Sequence, residues 1–147
     1  MNNTPNSNLI DYIRHFSTAK EITDLAFQLE TVNYLDGSPM HIGKAKRCLE
    51  IILNILCELR DLGNIELDLQ LIKSSLTLEG MLSLVKSKEK GVDTSSLESY
   101  LFDYPDINPA TLTTLSEAPK DALALHKFYY DCMHEKIATL FHILRPR

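Results

Sequence analysis

The residue types best suited to metal binding are three histidines in the C-terminal part of the sequence. His126, His134 and His142 recur every eight residues. Eight residues advance an α-helix by about 80° beyond whole turns, so on one helix these side chains point in different directions and cannot share a metal ion. His134-Glu135 also lacks the second histidine of the HExxH zinc motif. We therefore expect surface or half-buried histidines and no metal site.

The three cysteines are the second group that could do chemistry. Cys48, Cys57 and Cys132 are an odd number and contain no CxxC pair, which argues against a disulfide framework or a structural zinc site. Each lies among apolar residues in a helix-like region, whereas reactive thiols prefer helix N-termini beside positive charge. Cys48, which follows a cluster of cations, is the one partial exception. The pattern predicts small buried thiols in a reducing compartment.

Nucleotide-binding motifs are absent from the sequence. Neither GxxxxGK[ST] nor GxGxxG occurs, and these are the glycine-rich patterns that hold nucleotide phosphates. The carboxylates are scattered along polar faces, as they are in helices whose acidic residues serve solubility. We therefore expect a non-catalytic chain with no cofactor of its own.

Length and charge restrict the class of protein further. The 147 residues suit one domain, residues 1–147, with a polar and flexible stretch at 1–8. The net charge of −5 argues against nucleic-acid binding as the main activity, because domains that wrap nucleic acid are normally basic. No signal peptide is recognisable at the N-terminus, and no apolar run approaches the roughly 18 residues of a membrane span. We expect a soluble, cytoplasmic chain.

Two long helices dominate the expected structure. Apolar residues at helical spacing predict one helix over about 41–62, between a turn at 36–39 and the stop signal Gly63-Asn64. A second is predicted over about 119–144, with Pro119 in its first turn. The sequence therefore predicts a compact all-α domain with these two helices at its core.

Shorter helices fill the rest of the expected fold. Thr18 with Glu21, and Ser95 with Glu98, have the spacing of capping boxes, in which each side chain satisfies a free backbone amide. The shorter helices are predicted over 18–34, 77–86, 95–102 and near 109–115.

Residues 65–71 are ambiguous. Their sequence, IELDLQL, alternates apolar and polar residues, which taken alone indicates a strand. A single strand among helices has nothing to pair with, and Asp68 could instead cap a short helix through Ser74. We favour the helix.

Three segments carry residues that we expect to contact a partner. A basic cluster near a helix N-terminus, where the helix dipole disfavours cations, is a candidate contact for DNA or another anionic partner. The charged stretch 86–91, expected to be a solvated loop, and the connection 103–108 are candidate recognition surfaces, because loops on a rigid scaffold carry recognition. The candidate partner-binding residues are Lys44, Lys46, Arg47, Lys86, Lys88, Lys90, Asp103, Tyr104 and Asp106.

The segment 37–47 (GSPMHIGKAKR), with the apolar helix that follows it and ends in 59–61 (LRD), resembles part of the coupling ATPases of type IV secretion and conjugation systems. In that family a glycine-acidic turn leads into a tryptophan-arginine-glycine-arginine-alanine stretch and then a long helix that closes on leucine-arginine-aspartate. Met40-His41-Ile42 stands here in place of the tryptophan.

The rest of the chain is similar to the same family in the same order. Residues 65–81 resemble its following short helices, and residues 97–105 with 122–130 resemble its next segment, in which a turn precedes a helix that opens with a histidine and aromatics. Residues 8–13 (NLIDYI) are similar to an upstream asparagine-proline-leucine-aspartate stretch, with Leu9 where the family has proline.

This resemblance implies an all-α domain that is inserted into a RecA-like ATPase domain. The parent proteins are hexamers anchored at the cytoplasmic face of the bacterial inner membrane, and they bind ATP and Mg²⁺ outside the insertion. The all-α domain is thought to receive the relaxase–DNA complex, accessory relaxosome proteins or effector proteins, with DNA at most a weak partner. The chain would then be an excised substrate-receptor domain.

Two other classes remain open. A freestanding helical adaptor or chaperone-like protein of a secretion or phage system would bind a partner helix in a groove. A small helical enzyme would need a pocket lined by titratable groups with perturbed pKa values.

Overall fold

The computed structural model describes residues 12–14, 17–28, 39–108 and 117–144. Within these ranges every regular element is a helix, which confirms the predicted all-α class. The elements are α1 (Ala19–Gln28), α2 (Pro39–Asp61), α3 (Leu69–Ser75), α4 (Leu78–Leu84), a 3₁₀ helix (Val85–Lys90), α5 (Ser95–Phe102) and α6 (Lys120–Leu144). The predictions for 1–8, 29–34, 36–38 and 109–115 lie outside the described residues.

The first predicted capping box is confirmed at the start of α1. The Glu21 amide donates to Thr18 Oγ1 over 3.1 Å, and the Thr18 amide donates to Glu21 Oε1 over 2.9 Å. Each side chain therefore satisfies one backbone amide that the first turn of the helix leaves free.

α2 is the central helix, and it begins two residues before the predicted start. Pro39 is its first residue, where the missing amide costs nothing. The helix ends at Asp61, one residue before the predicted end, and the predicted stop signal Gly63 follows it with a φ of +81°, which suits glycine. The Gly63 amide donates to the Arg60 carbonyl and the Asn64 amide to the Leu59 carbonyl, which is the Schellman arrangement.

The buried face of α2 packs against most of the other helices. Leu49, Ile52 and Leu53 are fully buried, and α2 contacts α1, α3, α4, α5 and α6. Ile42, predicted to belong to the core face, is instead 39% exposed because it lies in the first turn. The prediction that α2 and α6 form the core is otherwise confirmed, and α1 packs against both.

The ambiguous segment is helical, as we favoured. Asp68 caps α3 by accepting the Leu71 amide over 2.8 Å, and Thr77 caps α4 by accepting the Gly80 amide over 3.0 Å. The two helices follow each other so closely that a Cβ on Gly80 would lie 2.1 Å from the Ser74 carbonyl oxygen. Glycine at position 80 therefore permits the corner between α3 and α4.

Two local predictions are wrong. Residues 85–90 are a 3₁₀ helix rather than a solvated loop, because Val85 and Ser87 are buried and Gly91 closes the helix with a φ of +86°. Ser95 is the first residue of α5 and not its cap. Thr94 precedes the helix and donates its hydroxyl to Glu98 Oε2 over 2.8 Å, so no capping box forms there.

α6 completes the described core. It begins at Lys120. Pro119 therefore lies one residue before the helix and not in its first turn as predicted, and its carbonyl accepts a hydrogen bond from the Leu123 amide over 2.9 Å. Lys136 Nζ lies 5.8 Å from the centre of the Phe27 ring, which joins α6 to α1. Among the described helices, none combines the length and apolar character that crossing a membrane requires.

Candidate partner-binding site

The basic cluster lies in the second and third turns of α2. Lys44 and Arg47 are exposed, whereas Lys46 forms an ion pair of 3.3 Å with Asp24, which also pairs with Lys20 at 2.6 Å. Since α2 begins at Pro39, these cations lie beyond the first turn, where the helix dipole has little effect. The expected placement of these cations against the dipole is therefore wrong. Lys46 instead links α2 to α1 through its ion pair with Asp24.

The lysines of the second candidate segment belong to the 3₁₀ helix. Lys86 and Lys90 are exposed. Lys88 Nζ lies 3.6 Å from Glu98 Oε1 on α5. The segment is thus joined to the scaffold through Lys88, and all three of its lysines are exposed.

The third candidate segment divides into surface and core. Asp103 and Asp106 are exposed, and Asp106 has a φ of +61°, in the left-handed region. Tyr104 is only 5% exposed and stacks 6.5 Å from Tyr129. The candidate assignment of Tyr104 to a contact surface is therefore corrected: its ring is core, because the α5 end turns this side chain inward against α6.

Tyr104 belongs to a buried hydrogen-bonded chain centred on His126, which we call the His126 cluster (Tyr100, Tyr104, His126 and the Leu76 carbonyl). His126 Nε2 lies 2.6 Å from the Leu76 oxygen, and Nδ1 lies 2.6 Å from the Tyr104 hydroxyl. A carbonyl only accepts, so Nε2 carries the proton and Nδ1 accepts from Tyr104. The Tyr104 oxygen then accepts from the Tyr100 hydroxyl over 3.1 Å.

The His126 cluster corrects the histidine prediction. His126 is 3% exposed rather than half-buried or on the surface, while His134 is half-buried and His142 is exposed. Burial lowers the pKa of His126 and outweighs the opposite effect of the Leu76 carbonyl. A neutral imidazole therefore joins the α3–α4 corner, the end of α5 and α6.

A second buried cluster, the Arg60 cluster, joins the end of α2 to Ile13 and Ser17. The Arg60 guanidinium donates to the Ile13 carbonyl over 2.8 Å, to the Ser17 carbonyl over 2.6 Å and to Ser17 Oγ over 3.2 Å. Its Nε lies 3.0 Å from the exposed carboxylate of Asp61. The LRD ending of α2 thus has a structural role, since its arginine fixes the segment before α1.

Tyr12, Ile13 and Ser17 line, together with α1, an open cavity of about 280 Å³. Its apolar wall includes Ile13, Ile22 and Leu25, and two carboxylates, Glu21 and Asp24, also line it. No sequence pattern predicted this site. The capping box marked Glu21 as a helix start, but nothing local indicated that Tyr12 and Ile13 lie beside α1.

Thiol chemistry is disfavoured at the cysteines. All three are buried free thiols, as predicted. Burial raises the pKa of Cys48 to about 12 and that of Cys57 to about 11. Since the thiolate is the nucleophile, neither thiol is activated at neutral pH.

The comparisons with known proteins do not identify the chain: no protein-family model matches it, and neither the curated proteins nor the solved structures include a match.

Proposed function

We propose that the chain is a non-catalytic substrate-recognition domain of a type IV secretion or conjugative coupling protein. It would dock relaxase–DNA complexes, accessory relaxosome proteins or effectors at the cytoplasmic entrance of the channel, and the parent protein would supply ATP binding and the membrane anchor. The observation that carries this proposal is the resemblance, in the same order along nearly the whole chain, to the all-α insertion of that family.

The contacts of the resembling segments support the proposal. Arg60, from the LRD ending, anchors residues 13 and 17. His126, from the segment 122–130, binds the Leu76 carbonyl of the segment 65–81 and the hydroxyl of Tyr104 in 97–105. Residues that carry the resemblance thus serve to join the segments into one helical scaffold, as a shared fold requires.

The charge of the chain favours a particular class of substrate. A net charge of −5 attracts proteins with basic signals, and such attraction raises the association rate and weakens with salt. Asp103 and Asp106 are exposed and available to a basic segment. Lys44 and Arg47 are the exposed cations of α2 and would account for a weak contact with DNA.

A binding titration tests this function. The 147-residue chain is titrated with a relaxase from the conjugative system that encodes it, at NaCl concentrations from about 50 to about 300 mM, where screening grows strongly. We expect binding that weakens as salt rises, and weaker binding of an unrelated protein with the same positive charge. Absent or salt-insensitive binding contradicts the proposal.

The flanking coding sequence separates the receptor domain from a freestanding adaptor. A strand with a Walker A motif encoded upstream and a Walker B strand downstream indicate the inserted domain. An open reading frame that stands alone indicates the adaptor.

A further inference from the structure

Hydrogen bonds fix the wall of the cavity that Ile13 and Ser17 form opposite α1. Arg60 binds the carbonyls of Ile13 and Ser17, and Ser17 Oγ donates to the Ile13 carbonyl over 2.9 Å. These contacts fix the wall opposite α1. A partner would therefore find a preformed site, which lowers the entropy cost of binding.

The carboxylate of Glu21 is also fixed before any partner arrives. It accepts hydrogen bonds from the Thr18 amide over 2.9 Å and from the Tyr12 hydroxyl at 3.0 and 3.2 Å. These donors, the Thr18 amide first, lower the pKa of Glu21, so it is ionised at neutral pH. The Thr18 amide and the Tyr12 hydroxyl are uncharged, so they do not neutralise the Glu21 carboxylate.

The described lining of the cavity combines apolar surface with negative charge. Ile13 and Ile22 are buried at its base, and Leu25 is half-buried. Glu21 and Asp24 are the ionised groups among the described lining residues, and Asp24 is shared with Lys20 and Lys46. Charge complementarity thus favours a cationic group beside an apolar one.

We propose that this cavity binds a short peptide segment of the protein partner in which a large aliphatic side chain stands next to a lysine or arginine. The aliphatic side chain packs between Ile22 and Leu25, and the cation reaches Glu21. This inference rests on the proposed receptor function and assigns its substrate-binding site.

Peptide binding measured by fluorescence polarisation tests the site on the 147-residue chain. The probe is a fluorescein-labelled peptide with two leucines flanked by two arginines. Versions with the leucines replaced by serine, or the arginines by glutamine, are its matched controls. We expect the serine peptide to bind at least about tenfold more weakly, since a buried leucine side chain contributes that much, and the glutamine peptide about threefold more weakly.

Variants of the chain test whether the peptide binds in this cavity. Glu21→Gln keeps a capping side chain and removes the charge, and we expect about threefold weaker binding of the arginine peptide. Its control is Glu66→Gln, at an exposed residue away from the cavity. Leu25→Trp fills the cavity and should weaken binding about tenfold, whereas Leu25→Met conserves volume and should not. Circular dichroism checks that each variant is folded.

Three results of the binding measurements overturn the site. These are no peptide binding to the unmodified chain at about 1 mM, equal binding by the Leu25→Trp variant, or equal binding of the arginine and glutamine peptides. Self-association that Leu25→Trp abolishes, seen by sedimentation, also overturns it, because the occupant is then a second copy. If relaxase binds the Glu21→Gln and Leu25→Trp variants as tightly as it binds the unmodified chain, the receptor function stands without this site. If the arginine peptide binds here but relaxase does not bind, the site stands and the receptor function fails.

Discussion

Arg60 and His126 are both buried, yet one keeps a charge and the other is held neutral. The Arg60 side chain is 5% exposed and donates to two carbonyls and one hydroxyl, with the exposed Asp61 carboxylate beside it. His126 is 3% exposed and lies between a carbonyl and a tyrosine hydroxyl. Each cluster joins segments that are far apart in the sequence.

The two clusters differ in how their hydrogen bonds respond to a change in pH. Arginine stays charged at any physiological pH and presents five donors, so the Arg60 cluster depends on acceptors that remain in place. The His126 cluster contains one donor and one acceptor on the ring, and a change of protonation alters both roles. We therefore expect the Arg60 cluster to contribute the larger stability and the His126 cluster the larger pH dependence.

Replacing Arg60 with methionine tests the first half of this comparison. Methionine fills apolar space but removes the charged donor from the Ser17 carbonyl, and it leaves the Ile13 carbonyl with the Ser17 hydroxyl alone. Because hydrogen bonds to charged groups contribute about 1.5–3 kcal/mol each, we expect the free energy of unfolding to fall by about 4 kcal/mol. Urea unfolding followed by circular dichroism measures it.

Two further variants test whether the stability comes from the planar guanidinium of Arg60, from its charge alone or from its ion pair with Asp61. Arg60→Lys keeps a charge but cannot bind several acceptors in one plane, so it should recover less than half of the loss. Asp61→Asn removes only an exposed ion pair and should cost at most about 1 kcal/mol. Equal effects of Asp61→Asn and Arg60→Met would assign the stability to the ion pair instead of the buried donors.

Gly80 determines the shape of the corner that carries the acceptor of the His126 cluster. A Cβ at this position would lie 2.1 Å from the Ser74 carbonyl oxygen, so Gly80→Ala must move α3 away from α4. We expect a loss of about 2–3 kcal/mol, the cost of overpacking, measured by thermal unfolding. Gly43→Ala is the matched control, because the new Cβ meets nothing within 4 Å in the interior of α2. It should stabilise by up to about 1 kcal/mol.

The pH dependence of stability tests the second half of the comparison. Burial lowers the pKa of His126 below its ordinary value of 6.5. The unfolded chain therefore takes up the proton first as pH falls, and stability is complete above about 6.5 and declines below it. Burial raises the pKa values of Tyr104 and Tyr100, which lie along the hydrogen-bonded chain from the ring, and that of Cys48 beyond them. These are uncharged at this pH, so none of them compensates an imidazolium.

His126→Phe should lower the free energy of unfolding by about 2 kcal/mol at pH 7.5. Its deficit should shrink by about 1 kcal/mol at pH 5.5, because the unmodified chain loses stability there. Denaturant unfolding at the two pH values gives both numbers. The exposed His142, replaced by glutamine, should leave the pH dependence unchanged. A deficit that is equal at both pH values would mean that the pKa of His126 is the same in the folded and the unfolded chain.

The sequence was sufficient where the signal is local. The capping box of Thr18 and Glu21 needs only residues three positions apart, and the cap at Asp68 resolved an alternating pattern in favour of a helix. The stop signal of α2 at Gly63 is also local, because the φ of a single residue determines it.

The buried clusters could not be predicted in the same way. Arg60 meets its acceptors 43 and 47 residues away, and His126 meets Leu76 at 50 residues. Arginine is mostly exposed in proteins and histidine is intermediate, so only tertiary packing could show that these two are core. The cavity beside Glu21 escaped prediction for the same reason, because its walls come from two segments whose approach depends on Arg60.

The last test, which has the smallest expected effect on stability, concerns a buried hydroxyl outside both clusters. Thr23 is fully buried on α1, and its Oγ1 has no hydrogen-bond partner in the described part of the chain. Thr23→Val preserves shape and removes this unsatisfied group, so we expect the chain to gain up to about 1 kcal/mol in thermal or urea unfolding. Thr94→Val is the matched control. The Thr94 hydroxyl is equally buried but donates to Glu98 over 2.8 Å, and its loss should cost about 1 kcal/mol. The same chemical change therefore has opposite signs at two buried sites. If both substitutions destabilise equally, burial alone governs these residues, and the contribution we assign to the partners of Arg60 and His126 loses its basis.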